Sequence, residues 1–200
     1  MLAALGADRA ARWAVRSGLA EAARAAAALG ARGQVSMAPS CTYTAAIVVP
    51  TAAGAAEITV GNVGDSRVYW IPEPPDTAQQ LTVDDSLAQE LITAGVPADS
   101  VAVQRGAHTL TRWLGADNDE QPWSDSSVYT VTTEGPGSVL LCSDGLWNYL
   151  PETADLELFF PSADAVATAR ALTEYAVAAG GQDNITVVVI PIGDSHQFAR

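Results

Sequence analysis

Apolar positions fall at helical spacing in some stretches of the chain and alternate with polar ones in others, and the switch between the two periods marks out the elements. Residues 8–29 are rich in Ala, with Trp13, Leu19, Ala22 and Ala23 near one helical face and Gly30 as a stop, which predicts a helix. Residues 43–49 read as a buried strand ended by Pro50. A turn over 51–55 leads into a second strand over 57–63, rich in β-branched residues. After Gly64-Asp65-Ser66, residues 67–71 alternate like a third strand. Three consecutive strands joined by short turns imply an antiparallel sheet, because a parallel crossover needs a dozen or more residues.

Further along, Ser86 and Gln89 have the spacing of a capping box for a helix bearing Leu87, Leu91 and Ile92, halted by Gly95 and Pro97. Residues 128–132 and 139–142 predict two more strands around the turn Glu134-Gly135-Pro136-Gly137. Ser162 is placed to cap a helix running to Ala179, with Val166, Ala169, Leu172 and Ala176 on its inner stripe and Gly180-Gly181 as its exit. Residues 184–190 form a last apolar strand, and the proline-rich stretch 72–79 is a loop. Strand runs and helices are segregated rather than alternating, which favours α+β layers over a doubly wound sheet. With no repeat and no long linker, residues 1–200 read as a single domain.

Composition narrows the chemistry. The ten basic residues are all Arg, and they face 23 Asp and Glu for a net charge of -13. Without Lys there is neither a Walker phosphate loop nor a Schiff-base enzyme. Two histidines, His108 and His196, are too few for a His-rich zinc site, and neither HExxH nor GxSxG occurs. The acidic charge repels phosphate backbones and anionic lipid, so nucleic acid and membranes are not expected as partners. No apolar stretch reaches the roughly 20 residues of a membrane span, and the N-terminus lacks a signal-peptide core, which predicts a cytoplasmic protein. Cys41 and Cys142, set among small or apolar residues in no CxxC spacing, read as buried thiols in a reducing compartment.

The remaining candidates for chemistry are carboxylates. Asp65 follows the second predicted strand in GNVGDSR, Asp144 follows a strand in LLCSDGL, and Asp183 precedes the last strand in GGQDNITVVV. A carboxylate at a strand end is held by the rigid sheet, while neighbouring glycines leave room for a ligand. Two such groups about 5 Å apart repel by roughly 3 kcal/mol at an effective dielectric of 20, and a divalent cation reverses the sign. Oxygen-only ligation suits Mg²⁺ or Mn²⁺. Each Asp alone also reads as a turn former bonding nearby amides, and residue types and spacing leave both readings open. Arg67 and Arg112 are expected to pair with neighbouring acids, His108 to be structural, and the five tryptophans, Trp13 among them, to pack in the core or against loops.

Five segments, VGDSRVYWI (63–71), LTVDDSLAQELITAGV (81–96), HTLTRWLG (108–115), VLLCSDGLWNYL (139–150) and GGQDNITVVVI (180–190), resemble, in order, the motifs of bacterial metal-dependent protein phosphatases of the PPM or PP2C-like type. The resemblance covers residues 40–190. It implies a four-layer α/β/β/α sandwich, two antiparallel sheets flanked by helices, with Mn²⁺ or Mg²⁺ at one end. It also implies hydrolysis of phosphoserine and phosphothreonine in a phosphorylated protein substrate by a metal-activated water. By position, Asp144 and Asp183 match the family's metal-ligating aspartates, and the catalytic role of both runs through that water. Asp84 matches the Asp of an LTxDHS segment that helps hold a further metal; the following His is Asp85 here. Asp65 matches the GDSR motif and reads as architectural.

The family's opening strands, with a DGxGG-like segment whose Asp bridges the central metals, have no counterpart in these residues. The expectation is an N-terminally incomplete sandwich, either a fragment or misplaced start, or a short form that binds phosphoproteins without hydrolysing them, a pseudophosphatase.

Overall fold

The structure, a computed structural model, describes residues 2–30, 39–51, 54–75, 77–115, 123–160 and 164–193. It opens with helix α1 (Leu2–Gly30), longer at its start than the sequence pattern indicates. Its buried positions are Ala11, Val15, Leu19 and Ala26, with Ala22 and Ala23 partly buried on the same stripe. Trp13 lies two residues from Ala11 and Val15, on the far side of a 3.6-residue turn, and is 71% exposed rather than packed.

The strands β2 (Tyr43–Pro50), β3 (Ala56–Val63) and β7 (Val128–Thr133) form an antiparallel sheet in the order β2-β3-β7. A second antiparallel sheet has the order β5-β4-β8-β9, from β4 (Arg67–Pro72), β5 (Gln79–Gln80), β8 (Gly137–Cys142) and β9 (Val187–Ile192). A two-stranded ribbon pairs β1 (Ser40–Cys41) with β6 (Leu114–Gly115). The sequence pattern placed β4 beside β3 in one sheet; in the fold it crosses to the other. The edge of β3 away from β2 is already taken by β7, and Val68 and Trp70 of β4 face Ile58 and Val60 of β3 across the sandwich. The crossing is made at Gly64, whose φ of 104° is unfavourable for any side chain.

Three apolar clusters define the layers. Val15 and Leu19 of α1 meet Val63 and Val128 on the outer face of the first sheet. Ala56, Ile58, Val60, Val68, Trp70, Val139 and Ile192 fill the space between the sheets. Tyr69, Leu140 and Cys142 pack under α4 (Asp144–Trp147), α5 (Thr153–Glu157) and α6 (Ala165–Ala179), meeting Leu146, Leu156, Leu172 and Ala176. The alternation of β4 and β8 therefore serves two cores, one on each face, and each fully buried Leu or Val contributes about 1.5–3 kcal/mol. The result is the expected helix–sheet–sheet–helix sandwich.

Local details differ from the sequence reading in informative ways. Helix α2 (Leu87–Thr93) begins as predicted, with Ser86 Oγ accepting from Gln89 N at 3.2 Å, but the Gln89 side chain turns to Thr93 instead of closing the box. Helix α3 (Val101–Gly106), capped by Ser100, has no counterpart in the predicted elements. The N-cap of α6 is Asp164, accepting from Val166 N and Ala167 N; Ser162 lies outside the described residues. Its inner stripe is Thr168, Leu172 and Ala176, and Val166 is 69% exposed. Cys142 is buried, but Cys41, on the short ribbon, is exposed. Among the described residues, no helix is long and apolar enough to cross a membrane.

Candidate metal centre

Strand β8 ends at Cys142 and Ser143 turns the chain into α4, so Asp144 is the first residue of that short helix. Strand β9 begins at Val187, three residues later than the pattern suggested, which leaves Asp183 to Thr186 as a loop. Ser143 laces the two segments together. Its Oγ donates to Asn184 O (2.9 Å) and accepts from Thr186 N (3.0 Å), and its own N donates to Thr186 O (3.2 Å). Gly145 lies against the Asn184 carbonyl so closely that a Cβ there would overlap the oxygen and stand 2.9 Å from its carbon. The small residue in Ser-Asp-Gly is thus required by the backbone of Asp-Asn-Ile-Thr, 39 residues on in the chain.

Asp144 and Asp183 both line one open cleft of about 450 Å³, together with Asp65, Asn184, Thr186 and His108. Asp183 Oδ1 accepts from Asn184 N at 2.7 Å, which orients its carboxylate. Asp65 is 7% exposed, and its pKa is pushed up to about 6, first by burial and next by the charge of Asp144. Its backbone carbonyl accepts the Trp147 indole N–H at 2.8 Å, so α4 holds the loop that carries it. Its strand-end position makes Asp65 a candidate beside Asp144 and Asp183 in the sequence, while the GDSR resemblance gives it an architectural part; in the structure it lines the same cleft.

Asp84 does not line this cleft. Its carboxylate is gripped by Arg67 through Nε (3.1 Å to each oxygen) and Nη2 (2.7 Å), and it faces an adjoining groove beside α2. Arg67 also lies 3.8 Å over the Trp147 ring and donates to Tyr69 OH. Asp85 accepts from Gly64 N and from Arg112 Nη1 (3.2 Å), so both arginines pair with acids as expected. Among the described residues, no three His, Cys, Asp or Glu side chains form a group that could hold a metal ion by themselves. The cleft's donors are mainly oxygens, which fits in kind a hard dication that takes two carboxylates and keeps several waters.

Two facing antiparallel sheets between helix layers, with acids gathered at one end of the strands, define the class of PPM-type phosphatases. Comparison with known proteins agrees. The PPM Ser-Thr phosphatase MsPP from Mycobacterium smegmatis, solved in complex with cacodylate, is 32% identical, with 95% of this chain and 80% of that one superposed at a TM-score of 0.63. The serine/threonine phosphatase stp of Listeria welshimeri is 32% identical over 135 residues, 67% of this chain and 51% of its own length. Protein phosphatase PhpP of Streptococcus pneumoniae is 31% identical over 137 residues, 66% of this chain and 52% of its own. The catalytic domain of PstP, solved with two manganese ions, shares the fold at a TM-score of 0.56 and 24% identity, over 76% of this chain and 60% of that one. No protein-family model matches the chain. The chain belongs to the PPM family of serine/threonine phosphatases. It spans about half the length of the curated relatives it matches.

Proposed function

We propose that this chain carries the metal-dependent hydrolysis of phosphoserine and phosphothreonine in cytoplasmic phosphoproteins, with Mn²⁺ or Mg²⁺ held by Asp144 and Asp183 and with Asp65 as their neighbour in the cleft. The observation that carries the reading is the Ser143 lacing, which brings two acids from distant segments to the same cleft. The names of the relatives supply the reaction and the substrate class, and the PstP catalytic domain, with its two manganese ions, supports the metal.

A dication held by Asp144 and Asp183 would supply charge to offset a phosphoryl group and would lower the pKa of water toward neutrality. The chain's own residues do the rest. Asp144 and Asp183 both line the cleft, one on each of the two segments that Ser143 joins, and the Asn184 amide keeps Asp183 in one orientation. Burial and the charge of Asp144 together outweigh the groups that favour the ionised Asp65 carboxylate, the electrostatic condition that a cation relieves. Arg67 and Asp84 neutralise each other, so neither adds net charge to the cleft.

Calorimetric titration with Mn²⁺, paired with hydrolysis of a phosphothreonine peptide, tests the proposal. Wild type should bind Mn²⁺ and turn over only with it, and Asp144→Asn and Asp183→Asn should each lose at least 100-fold of the rate, in the range typical for removing a group that acts on the reacting centre. Metal-independent turnover, or turnover retained by both variants, refutes it. Peptide binding without turnover by the folded, Mn²⁺-loaded protein would instead favour a phosphoprotein-binding module.

A further inference from the structure

The cleft presents a charge problem that the carboxylates and a dication leave unsolved. A phosphoryl group enters as a dianion, and the acids lining the cleft, Asp65, Asp144 and Asp183, carry charge of the same sign. The outward oxygens of the phosphoryl group need donors. Thr42 Oγ1 is engaged with Ser66 Oγ (2.9 Å), Ser143 Oγ is committed to the Asn184–Thr186 loop, and Ser40, Asn184 and Thr186, which also line the cleft, offer only neutral side chains. Among the described residues, no arginine lines the cleft: Arg67 is turned to Asp84 and Tyr69, and Arg112 to Asp85. Among the lining side chains, His108 alone can carry a positive charge.

His108 is also built in. Its ring lies nearly parallel to the Trp147 indole, 7° between planes and 6.1 Å between centroids. Trp147 is buried at 6% exposure and is pinned through Nε1 to the Asp65 carbonyl, with Arg67 stacked on it. The imidazole, though exposed itself, therefore lies parallel to a buried indole that is tied to the acid-bearing loop.

We infer that His108 is a hydrogen-bonding contact for the substrate phosphoryl group, a residue that touches the substrate within the cleft. This assignment rests on the phosphatase reading above, and the test separates the two. Inorganic phosphate is titrated by calorimetry into wild type, His108→Gln and His108→Arg, with and without Mn²⁺; titration of Mn²⁺ alone reads the metal site independently. His108→Gln should weaken phosphate about tenfold, the loss expected for one charge-assisted hydrogen bond. His108→Arg should stay within about threefold of wild type, and Mn²⁺ affinity should be unchanged in both.

In the folded wild type, the ring proton resonances of His108, identified by their loss in His108→Gln, should shift on phosphate addition. Equal phosphate affinity in wild type and His108→Gln under both conditions, no detectable phosphate binding by wild type, or unmoved His108 resonances would each overturn the assignment. Failure to bind Mn²⁺ removes the metal reading while the metal-free titration and the resonances still decide the role of His108.

Discussion

Gly145→Ala is the sharpest perturbation the structure offers, because it acts on the contact that unites the two acid-bearing loops. The new Cβ would overlap Asn184 O and stand 2.9 Å from Asn184 C and 3.2 Å from Ile185 Cγ1. Carbon–carbon contacts settle near 3.5–4.0 Å, so the Asn184 backbone has to retreat by about 0.6–1 Å. The obstacle is main chain held by Ser143, which cannot rotate away as a flexible side chain would. Overpacking of this kind costs about 2 kcal/mol, which for a domain of this size lowers the thermal midpoint by roughly 4–8 °C. The same retreat drags Asp183 off its position relative to Asp144. Since metal ligands tolerate displacements of only about 0.2 Å, Mn²⁺ affinity should fall by at least about tenfold. Thermal unfolding with and without Mn²⁺, alongside Mn²⁺ calorimetry, reads both effects. Gly6→Ala is the control: it lies in α1 with nothing within 4 Å of its added Cβ and should gain about 0.5–1 kcal/mol. If Gly145→Ala melts within 1 °C of wild type and binds Mn²⁺ as tightly, the two loops are not coupled in the way described.

Two other substitutions probe the surroundings of the cleft. In metal-free protein Asp65 has its pKa raised to about 6, so the folded state holds a proton that the unfolded chain has released, and stability falls as pH rises from about 4 to 6, staying lower above that. After allowance for solvent screening the contribution is about 1–2 kcal/mol. Urea unfolding at both ends of this window should show a steeper loss for wild type than for Asp65→Asn, and identical slopes would contradict it. Arg67→Ala removes both the fork on Asp84, a side chain only 9% exposed, and the cation over Trp147, and should cost about 3 kcal/mol by chemical denaturation, with Arg67→Lys recovering only part because it lacks the fork. A loss below 1 kcal/mol for Arg67→Ala would show that the pair is solvated and without structural weight.

Much of the architecture was legible because period and punctuation are local properties. The β-branched residues of 57–63, the alternation in 67–71, the glycines after 179 and the Ser86 cap each depend on neighbours within a few residues, and β3, β4, the exit of α6 and the start of α2 fall where the pattern puts them. Helical faces were read less well. Trp13 and Val166 are apolar and near the right spacing, yet both are exposed, because the stripe that a helix buries is chosen by the sheet beneath it. In α6 that choice admits Thr168 at 4% exposure and leaves Val166 out.

The strand-end acids, the ordered motifs and the lack of lysine are written in the sequence, and with them the family and the oxygen-donor chemistry. Which acids share a cleft is not. Asp84 and Asp65 are both aspartates in matching motifs, but only the fold sends one to Arg67 and the other into the cleft beside Asp144. The same holds for β4, which continues the strand series along the chain yet joins the opposite sheet because β7, some 60 residues later, already occupies the edge of β3. Short-range pattern decides what an element is; competition among distant segments for the same edge, face or charge decides where it goes, and that competition exists only once the chain has closed on itself.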